Sequence, residues 1–217
     1  MSSEDYHREL VERLLDGRIQ DKDDLQRAKI ELCRKHRLKG VPPNSETLGR
    51  LSGEELERAE AILQRKPVRT LSGVAVVAVM TSPAPCPHGK CIFCPGGVDN
   101  GSPQSYTGKE PAARRGAHYS FDPYEQVKGR IEQLEAIGHH AGKIDLIIMG
   151  GTFTSRPPEY QEDFVKRCLD AMNGAASGTL EEAQALNEGA PYRCIGMTVE
   201  TRPDALTEEQ CAASMRL

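Results

Sequence analysis

The sequence has no apolar run near the ~18 residues that a membrane-spanning helix requires, and no leader in which a charged stretch precedes an apolar one. These two absences predict a soluble, cytoplasmic protein with no membrane contact. The chain has seven cysteines, an odd number, and those outside one loop are scattered along the sequence. A framework of disulfide bonds is therefore not expected. The sequence also contains no internal repeat.

One short loop holds three of the seven cysteines. Residues 86–97 read CPHGKCIFCPGG, in which Cys86, Cys91 and Cys94 have the spacing C-x4-C-x2-C. A structural zinc site has four protein ligands, so three thiolates on one loop leave a coordination position open. Thiolates also bind iron–sulfur clusters, and three of them leave one iron of a cubane cluster free for a small molecule. The alternative is zinc, with His88 as the fourth ligand.

The first part of the chain has the pattern of several helices. Apolar residues recur at helical spacing within residues 2–17, and a second helix is predicted over about 21–36. A third is predicted over 51–66, where Ser52 and Glu55 have the spacing of a capping box. These helices indicate a region separate from the rest of the chain.

Positive charge is concentrated in one stretch of this helical region. Residues 27–40 contain six Lys or Arg against one Glu, whereas residues 1–26 contain eight acids against four bases. A compact basic stretch suits a polyanion such as RNA, and a solvated helix face is the other interpretation. We therefore take residues 1–70 as an N-terminal helical, basic arm.

From residue 71 to residue 217 the pattern changes to alternating strands and helices. Continuous apolar runs at 73–80 and 143–150 predict strands buried on both faces, and a third strand is predicted at 194–200. Helical segments follow the strands, which indicates an α/β fold with parallel strands and helical crossovers. Three or four such units fit, fewer than the eight of a closed (β/α) barrel of ~250 residues. The prediction is a partial barrel in a truncated chain.

An unusual loop follows each of the three predicted strands. These are the cysteine loop, GGTF at 150–153 and ETRPD at 200–204. Ligands of parallel α/β folds bind at the carboxyl ends of the strands, so the three loops are expected to share one site. A cubane cluster with one open iron is the arrangement that cleaves S-adenosylmethionine reductively, a radical chemistry that side chains cannot supply.

Four motifs in order resemble the catalytic subunit of Elongator, a family that modifies the wobble uridine of tRNA. They are CPHGKCIFCPGG, QSYTGKEP at 104–111, MGGTF at 149–153 and TVETRPD at 198–204. The run CRKHRLKGVPPNSE is similar to the basic arm of that family, and the spacing of the first two cysteines resembles its archaeal or bacterial members. The resemblance implies that residues 71–217 are the N-terminal part of a radical SAM barrel. The rest of the barrel and an acetyltransferase-like domain would then be lacking.

The resemblance also implies roles for individual residues. Tyr106, beside the cysteine loop, is a catalytic candidate that would stack on a base, donate a proton or only pack. The implied ligand sets are Cys86, Cys91 and Cys94 for a 4Fe–4S cluster; Gly150, Gly151, Thr152 and Glu200 for S-adenosylmethionine; Lys143 for acetyl-CoA; and Arg34, Lys35, Arg37 and Lys39 for tRNA.

The reaction that the resemblance implies starts with a deoxyadenosyl radical, which abstracts hydrogen from the methyl group of acetyl-CoA. The carbon radical adds to C5 of uridine, and hydrolysis of the thioester leaves a carboxymethyl group. The implied partners are tRNA, acetyl-CoA, and either further copies of the chain or Elongator-type subunits. The residues alone leave an alternative open, which is a zinc-stabilised tRNA-binding module without catalytic activity.

Overall fold

The computed structural model describes residues 3–217, which divide into two compact units. The first unit contains the chain up to Ser72 together with Gln133–His140. The second contains Gly73–Glu132 and Ala141–Leu217. In the described part of the chain, no helix is both long enough and apolar enough to cross a membrane.

The first unit consists mainly of short helices whose apolar faces meet in one core. Tyr6, Leu32 and Leu63 are fully buried in this core. The Asp21 side chain caps the second helix by accepting hydrogen bonds from backbone amides of its first turn. The helices are α1 (Ser3–Leu15), α2 (Lys22–Lys35), α3 (Asn44–Leu48) and α4 (Gly53–Leu63).

The start of α4 differs from the sequence prediction in its capping. Ser52 is the N-cap residue, but its side chain makes no capping hydrogen bond, so the predicted capping box with Glu55 is wrong. Gly53 occupies the first helical position with φ of 53°, a left-handed conformation. A capping box requires a regular first turn, and this glycine does not provide one. The short helix α3, which begins directly after Pro43, was also not predicted.

The second unit contains a parallel three-stranded sheet of order β1-β2-β3 among its described residues. The predicted α/β class, with parallel strands that follow an N-terminal helical region, is confirmed. Two helices, α5 and α8, were not predicted from the sequence. The strands are β1 (Ala75–Met80), β2 (Lys143–Met149) and β3 (Arg193–Val199), and the helices α5 (Pro111–His118), α6 (Pro123–Glu135, ending in the first unit), α7 (Pro158–Asn173), α8 (Leu180–Asn187) and α9 (Glu208–Ser214).

The first two strands are buried on one face and not on both, and β3 contains no fully buried residue. In β2, Ile144, Leu146 and Ile148 are fully buried, whereas the residues between them are only half-buried. In β1, Val77 is fully buried but its neighbour Val76 is 44% exposed. The prediction of burial on both faces is therefore wrong, because an apolar run does not by itself show that helices cover both sides of a sheet.

Helix α5 covers the outer edge of β1, which pairs only with β2 among the described strands. The Arg115 guanidinium of α5 donates a hydrogen bond of 2.7 Å to the backbone oxygen of Ala78. A Cβ atom at Gly116 would lie only 2.8 Å from the Met80 side chain, so the helix approaches the strand closely. A covered edge cannot pair with another chain, and α5 gives this strand that protection.

Candidate active site at the strand ends

The three loops that the sequence singles out begin at the same edge of the sheet. The register pairs Met80 with Met149 and Ile148 with Val199, so the three strands end side by side. The backbone amide of Glu200 continues the ladder by donating to the Ile148 oxygen at 3.0 Å. The loops therefore extend from neighbouring points, as expected for a parallel sheet.

A cavity of about 400 Å³ opens between these loops. All three predicted cysteine ligands line it, together with part of the glycine turn that follows β2 and part of the charged turn that follows β3. Its lining includes Cys86, Cys91, Cys94, Gly151, Thr152 and Arg202.

The sulfur atoms of Cys86 and Cys91 each have polar neighbours. Cys86 Sγ lies 3.4 Å from the hydroxyl of Thr152, a residue that is 5% exposed. Cys91 Sγ accepts a hydrogen bond of 3.4 Å from the Arg202 guanidinium. The His88 ring nitrogen Nε2 lies 3.1 Å from the same sulfur. Two of the three loops therefore stabilise the sulfur atoms from outside the cysteine loop.

The third sulfur atom is held by the segment that follows the cysteine loop. The Ser105 backbone amide donates to Cys94 Sγ at 3.4 Å, and Cys94 in turn donates to the Gln104 side-chain oxygen at 3.5 Å. Ser105 has φ of 72°, a left-handed conformation that side chains other than glycine rarely adopt. A strained residue whose amide points at a cysteine sulfur is the kind of backbone feature that accompanies functional sites.

The thiols are present as free groups in a shared cavity. All seven cysteines are free. Among residues 3–217, no group of three or more His, Cys, Asp or Glu side chains is arranged so that it could hold a metal ion. The features of this cavity that suit a cofactor are its three thiol groups, their shared location and the hydrogen bonds to their sulfur atoms.

Glu200 is the centre of a second set of hydrogen bonds at this edge. The Tyr106 hydroxyl lies 2.6 Å from both carboxylate oxygens, and the amides of Gly150 and Gly151 donate to the carboxylate at 3.0 and 3.3 Å. The Glu200 backbone oxygen also accepts from the Phe153 amide at 2.8 Å. Burial, and then the hydrogen bond to the Glu200 carboxylate, raises the pKa of Tyr106 well above its ordinary value. Tyr106 is therefore a neutral hydrogen-bond donor at physiological pH.

The glycine turn after β2 requires glycine for reasons of space and backbone angle. Gly150 and Gly151 have φ of 149° and 84°. A Cβ atom on Gly150 would collide with the Thr81 hydroxyl, and one on Gly151 would lie 2.9 Å from the Gln104 backbone oxygen. This tight turn directs both amides toward the Glu200 carboxylate.

Lys143 lies away from these residues. It is exposed and begins β2, and Met149 ends that strand at the cavity edge. Met149 is six positions further along the strand than Lys143, which corresponds to ~20 Å. The structure therefore does not bring Lys143 together with the cysteine loop.

The four basic residues predicted to bind tRNA lie in the first unit, and one of them is already paired. Lys35 Nζ lies 2.7 Å from the Glu9 carboxylate oxygens. Hydrogen bonds from Lys35, and then from His36 and Arg13, lower the pKa of Glu9 to about 2. The other three, Arg34, Arg37 and Lys39, are exposed and belong to no ion pair among the described residues.

Sequence reasoning missed Arg202, Gln104 and Ser105 as individual site residues. Arg202 lies in the charged turn after the third strand, and its contact with Cys91 joins residues 111 positions apart. Gln104 and Ser105 open the motif QSYTGKEP, which marks their position in the sequence but not their contacts with Cys94. A backbone amide that binds sulfur has no signal in the sequence.

The fold and the site together define a parallel α/β protein with a cysteine-lined cavity at the carboxyl ends of the strands. The ELP3 N-terminal domain matches residues 3–71. The chain is 55% identical over 216 residues to the tRNA uridine(34) acetyltransferase of Methanocaldococcus jannaschii, an alignment that covers 96% of this chain and 40% of that protein. It is 38% identical over 219 residues to Elongator complex protein 3 of Schizosaccharomyces pombe, again over 96% of this chain and 40% of the relative.

A solved structure agrees with these sequence matches. The archaeal Methanocaldococcus infernus Elp3 with an N-terminal deletion superposes with a TM-score of 0.51 at 45% identity, over 67% of this chain and 26% of that one. The chain belongs to the Elongator complex protein 3 family. It spans about 40% of the length of the curated relatives it matches.

Proposed function

We propose that this chain is the part of a wobble-uridine-modifying enzyme that binds tRNA and S-adenosylmethionine. In the proposed reaction, radical chemistry transfers a carboxymethyl group derived from acetyl-CoA to C5 of the uridine. The observation that carries the proposal is the cavity shared by Cys86, Cys91 and Cys94 at the strand ends of a chain 55% identical to a tRNA uridine(34) acetyltransferase.

The donor set of the cavity fits a 4Fe–4S cluster held by Cys86, Cys91 and Cys94. Cluster ligands are thiolates, and hydrogen bonds to their sulfur atoms tune the reduction potential. Arg202 and the Ser105 amide are such donors. When bound, the cluster supplies the electron that cleaves S-adenosylmethionine. The free state of all seven cysteines is consistent with the reducing cytoplasm, where we propose that the protein acts.

Gly150, Gly151, Thr152 and Glu200 are the proposed S-adenosylmethionine site. A carboxylate is a hydrogen-bond acceptor and suits the ribose hydroxyl groups of the nucleoside part. Both glycine amides donate to Glu200, so S-adenosylmethionine reaches these amides only when the carboxylate leaves them. We therefore propose that Tyr106 is a positioning residue that orients Glu200, since its hydroxyl lies 2.6 Å from both carboxylate oxygens.

Arg34, Arg37 and Lys39 are the proposed phosphate contacts of the first unit, because they are exposed cations without a described ion pair. Lys35 would join them only by leaving Glu9. Contacts of this kind fix the position of the RNA and carry no sequence information. The target base itself has to leave its stack, which anticodon loops allow.

Acetyl-CoA and protein partners complete the proposal. Lys143 offers an exposed ammonium to the phosphate groups of acetyl-CoA, at the end of β2 opposite the cysteine cavity. A contact there would involve a part of the molecule distant from the reacting methyl group. Relatives named Elongator complex protein 3 suggest further subunits, and self-association is the second kind of assembly.

The proposed function is tested by the products of one anaerobic reaction. The reconstituted chain is mixed with S-adenosylmethionine, dithionite, acetyl-CoA and unmodified tRNA, and small molecules and nucleosides are analysed by mass spectrometry. We expect 5′-deoxyadenosine at one or more equivalents per chain, because the cavity residues bind the cofactor and hold it next to the cluster. A chain with full cluster content that forms no deoxyadenosine under these conditions would contradict the proposal.

A further inference from the structure

A second group of exposed cations lies in the first unit, outside the stretch that ends at Lys39. Residues 65–69 read RKPVR, here called the basic turn, and contain no acid. Arg65, Lys66 and Arg69 are all exposed. None of the three takes part in an ion pair within the described residues, whereas most other arginines of this unit do. The basic turn is therefore a site of unneutralised positive charge.

The backbone on both sides of the basic turn is anchored. Gln64 donates a hydrogen bond of 2.7 Å to a carbonyl oxygen of the turn 137–140, which belongs to the same unit. Thr70 Oγ1 lies 2.8 Å from the His139 ring, which is 1% exposed. The cations are thus presented on a fixed backbone. A fixed backbone loses less conformational freedom when a ligand binds than a flexible linker does.

The conformation of the basic turn also sets it apart. Lys66 has φ of 52° and ψ of 60°, the left-handed region that side chains other than glycine rarely occupy. Pro67 follows it and opens a single short turn of 3-10 helix over Pro67–Thr70. Strained residues of this kind persist where the surrounding structure holds them and often mark functional sites.

A buried cation adds to the positive charge beside the basic turn. Lys29 of α2 is 8% exposed, and its ammonium donates to the Asn44 side-chain oxygen at 2.6 Å. Burial, and then the charge of Arg65, lowers the pKa of Lys29. Its hydrogen-bond partner is a neutral amide, so no carboxylate of the described residues pairs with Lys29 or with Arg65.

The basic turn and the residues proposed for tRNA lie at opposite ends of α2. Lys22, in the first turn of α2, donates to the Gln64 backbone oxygen at 3.0 Å, so the basic turn lies beside this end. Arg34 is twelve residues further along the same helix, a distance of ~18 Å. An extended polyanion such as RNA is long enough to span this distance.

We propose that the basic turn is a second phosphate-binding surface for RNA, acting together with Arg34, Arg37 and Lys39. The inference rests on the proposed function, in which tRNA is the substrate. Exposed Val68 and Leu71 lie next to the cations, which raises an anionic lipid surface as another occupant. A single turn of 3-10 helix lacks the extended apolar face with which interfacial helices bind membranes, and the charge pattern favours RNA.

The test is the salt dependence of tRNA binding by the full 217-residue chain. In one variant the three cations of the basic turn are replaced together: Arg65→Gln, Lys66→Gln and Arg69→Gln. We expect the slope of log K against log[salt] to become shallower by about two units, because each lost phosphate contact removes ~0.7–0.9. Affinity near physiological salt should fall about tenfold or more, and similarly for all tRNAs.

The matched control removes the same net charge from elsewhere in the unit. Arg8, Arg18 and Arg50 are exposed but paired with carboxylates of the same unit at 2.9, 2.6 and 3.5 Å. Replacing these three with glutamine should leave the salt slope within error of the unmodified chain. A second variant, Arg65→Lys with Arg69→Lys, keeps the charge and should retain the slope, which separates charge from folding effects.

Two outcomes would overturn the inference. One is an unchanged salt slope in the folded triple variant, judged by circular dichroism and thermal midpoint. The other is loss of binding to phosphatidylserine vesicles with tRNA binding unaffected, which would identify a lipid occupant. The proposed function is tested by a different measurement, deoxyadenosine formation in the unmodified chain. Because that reaction does not require the basic turn, its absence would contradict the proposed function and not this inference alone.

Discussion

Cys91→Ala should abolish iron binding and reduce deoxyadenosine formation from S-adenosylmethionine by more than about a hundredfold. Two thiolates cannot hold a cubane cluster that three are proposed to bind, and removal of outer hydrogen-bond partners alone typically costs ~10–100-fold in affinity or activity. In this chain the substitution also removes the sulfur atom that accepts from Arg202 and lies beside His88. Iron and sulfide content and product formation are measured on the same anaerobic sample.

The control for this experiment is Cys211→Ala. Cys211 is an exposed free thiol in α9 and takes no part in the cavity. Its replacement should leave iron, sulfide and deoxyadenosine at the level of the unmodified chain. Deoxyadenosine formation that persists in folded Cys91→Ala would remove the cluster assignment.

Gly150→Ala should destabilise the second unit by ~2–4 kcal/mol. The φ of 149° at Gly150 is unfavourable for a side chain, and a Cβ there would collide with the buried Thr81 hydroxyl. Backbone strain costs ~1–3 kcal/mol and overpacking costs a similar amount. Partial relaxation of the turn should keep the total below the sum of the upper values. The urea midpoint should fall while the slope of the transition is retained.

Gly189→Ala is the matched control in the same unit. A Cβ atom at Gly189 would meet no heavy atom within 4 Å, and its φ is not in the left-handed region. We expect its free energy of unfolding to change by less than about 0.5 kcal/mol. Equal urea midpoints for the two variants would show that the turn after β2 tolerates a side chain and that its glycines are retained for another reason.

The parts of the fold that follow from local sequence patterns were predictable. The three strands and the start of α2 near residue 21 are predicted from residues close in sequence. The misses have a common cause. Whether both faces of β1 are buried, and whether Ser52 caps α4, is decided by the structure around each element. A short stretch of sequence does not contain that information.

The candidate site was predictable to the level of its loops but not of its contacts. Parallel strands bring their carboxyl ends together, so the shared location of the cysteine loop, the glycine turn and Glu200 follows from topology. The hydrogen bonds of Glu200 with Tyr106 and with Gly150 join residues 94 and 50 positions apart. Such pairs require the folded structure, as does the engagement of Lys35 by Glu9.

The central claim is that Cys86, Cys91 and Cys94 hold a 4Fe–4S cluster, and metal analysis with an absorption spectrum tests it most directly. After anaerobic reconstitution of the chain, we predict about four iron and about four sulfide per chain, a brown colour and broad absorption that bleaches with dithionite. A chain that instead binds about one zinc, takes up no sulfide and still binds tRNA would contradict the claim, since a closed zinc site holds a single metal without sulfide.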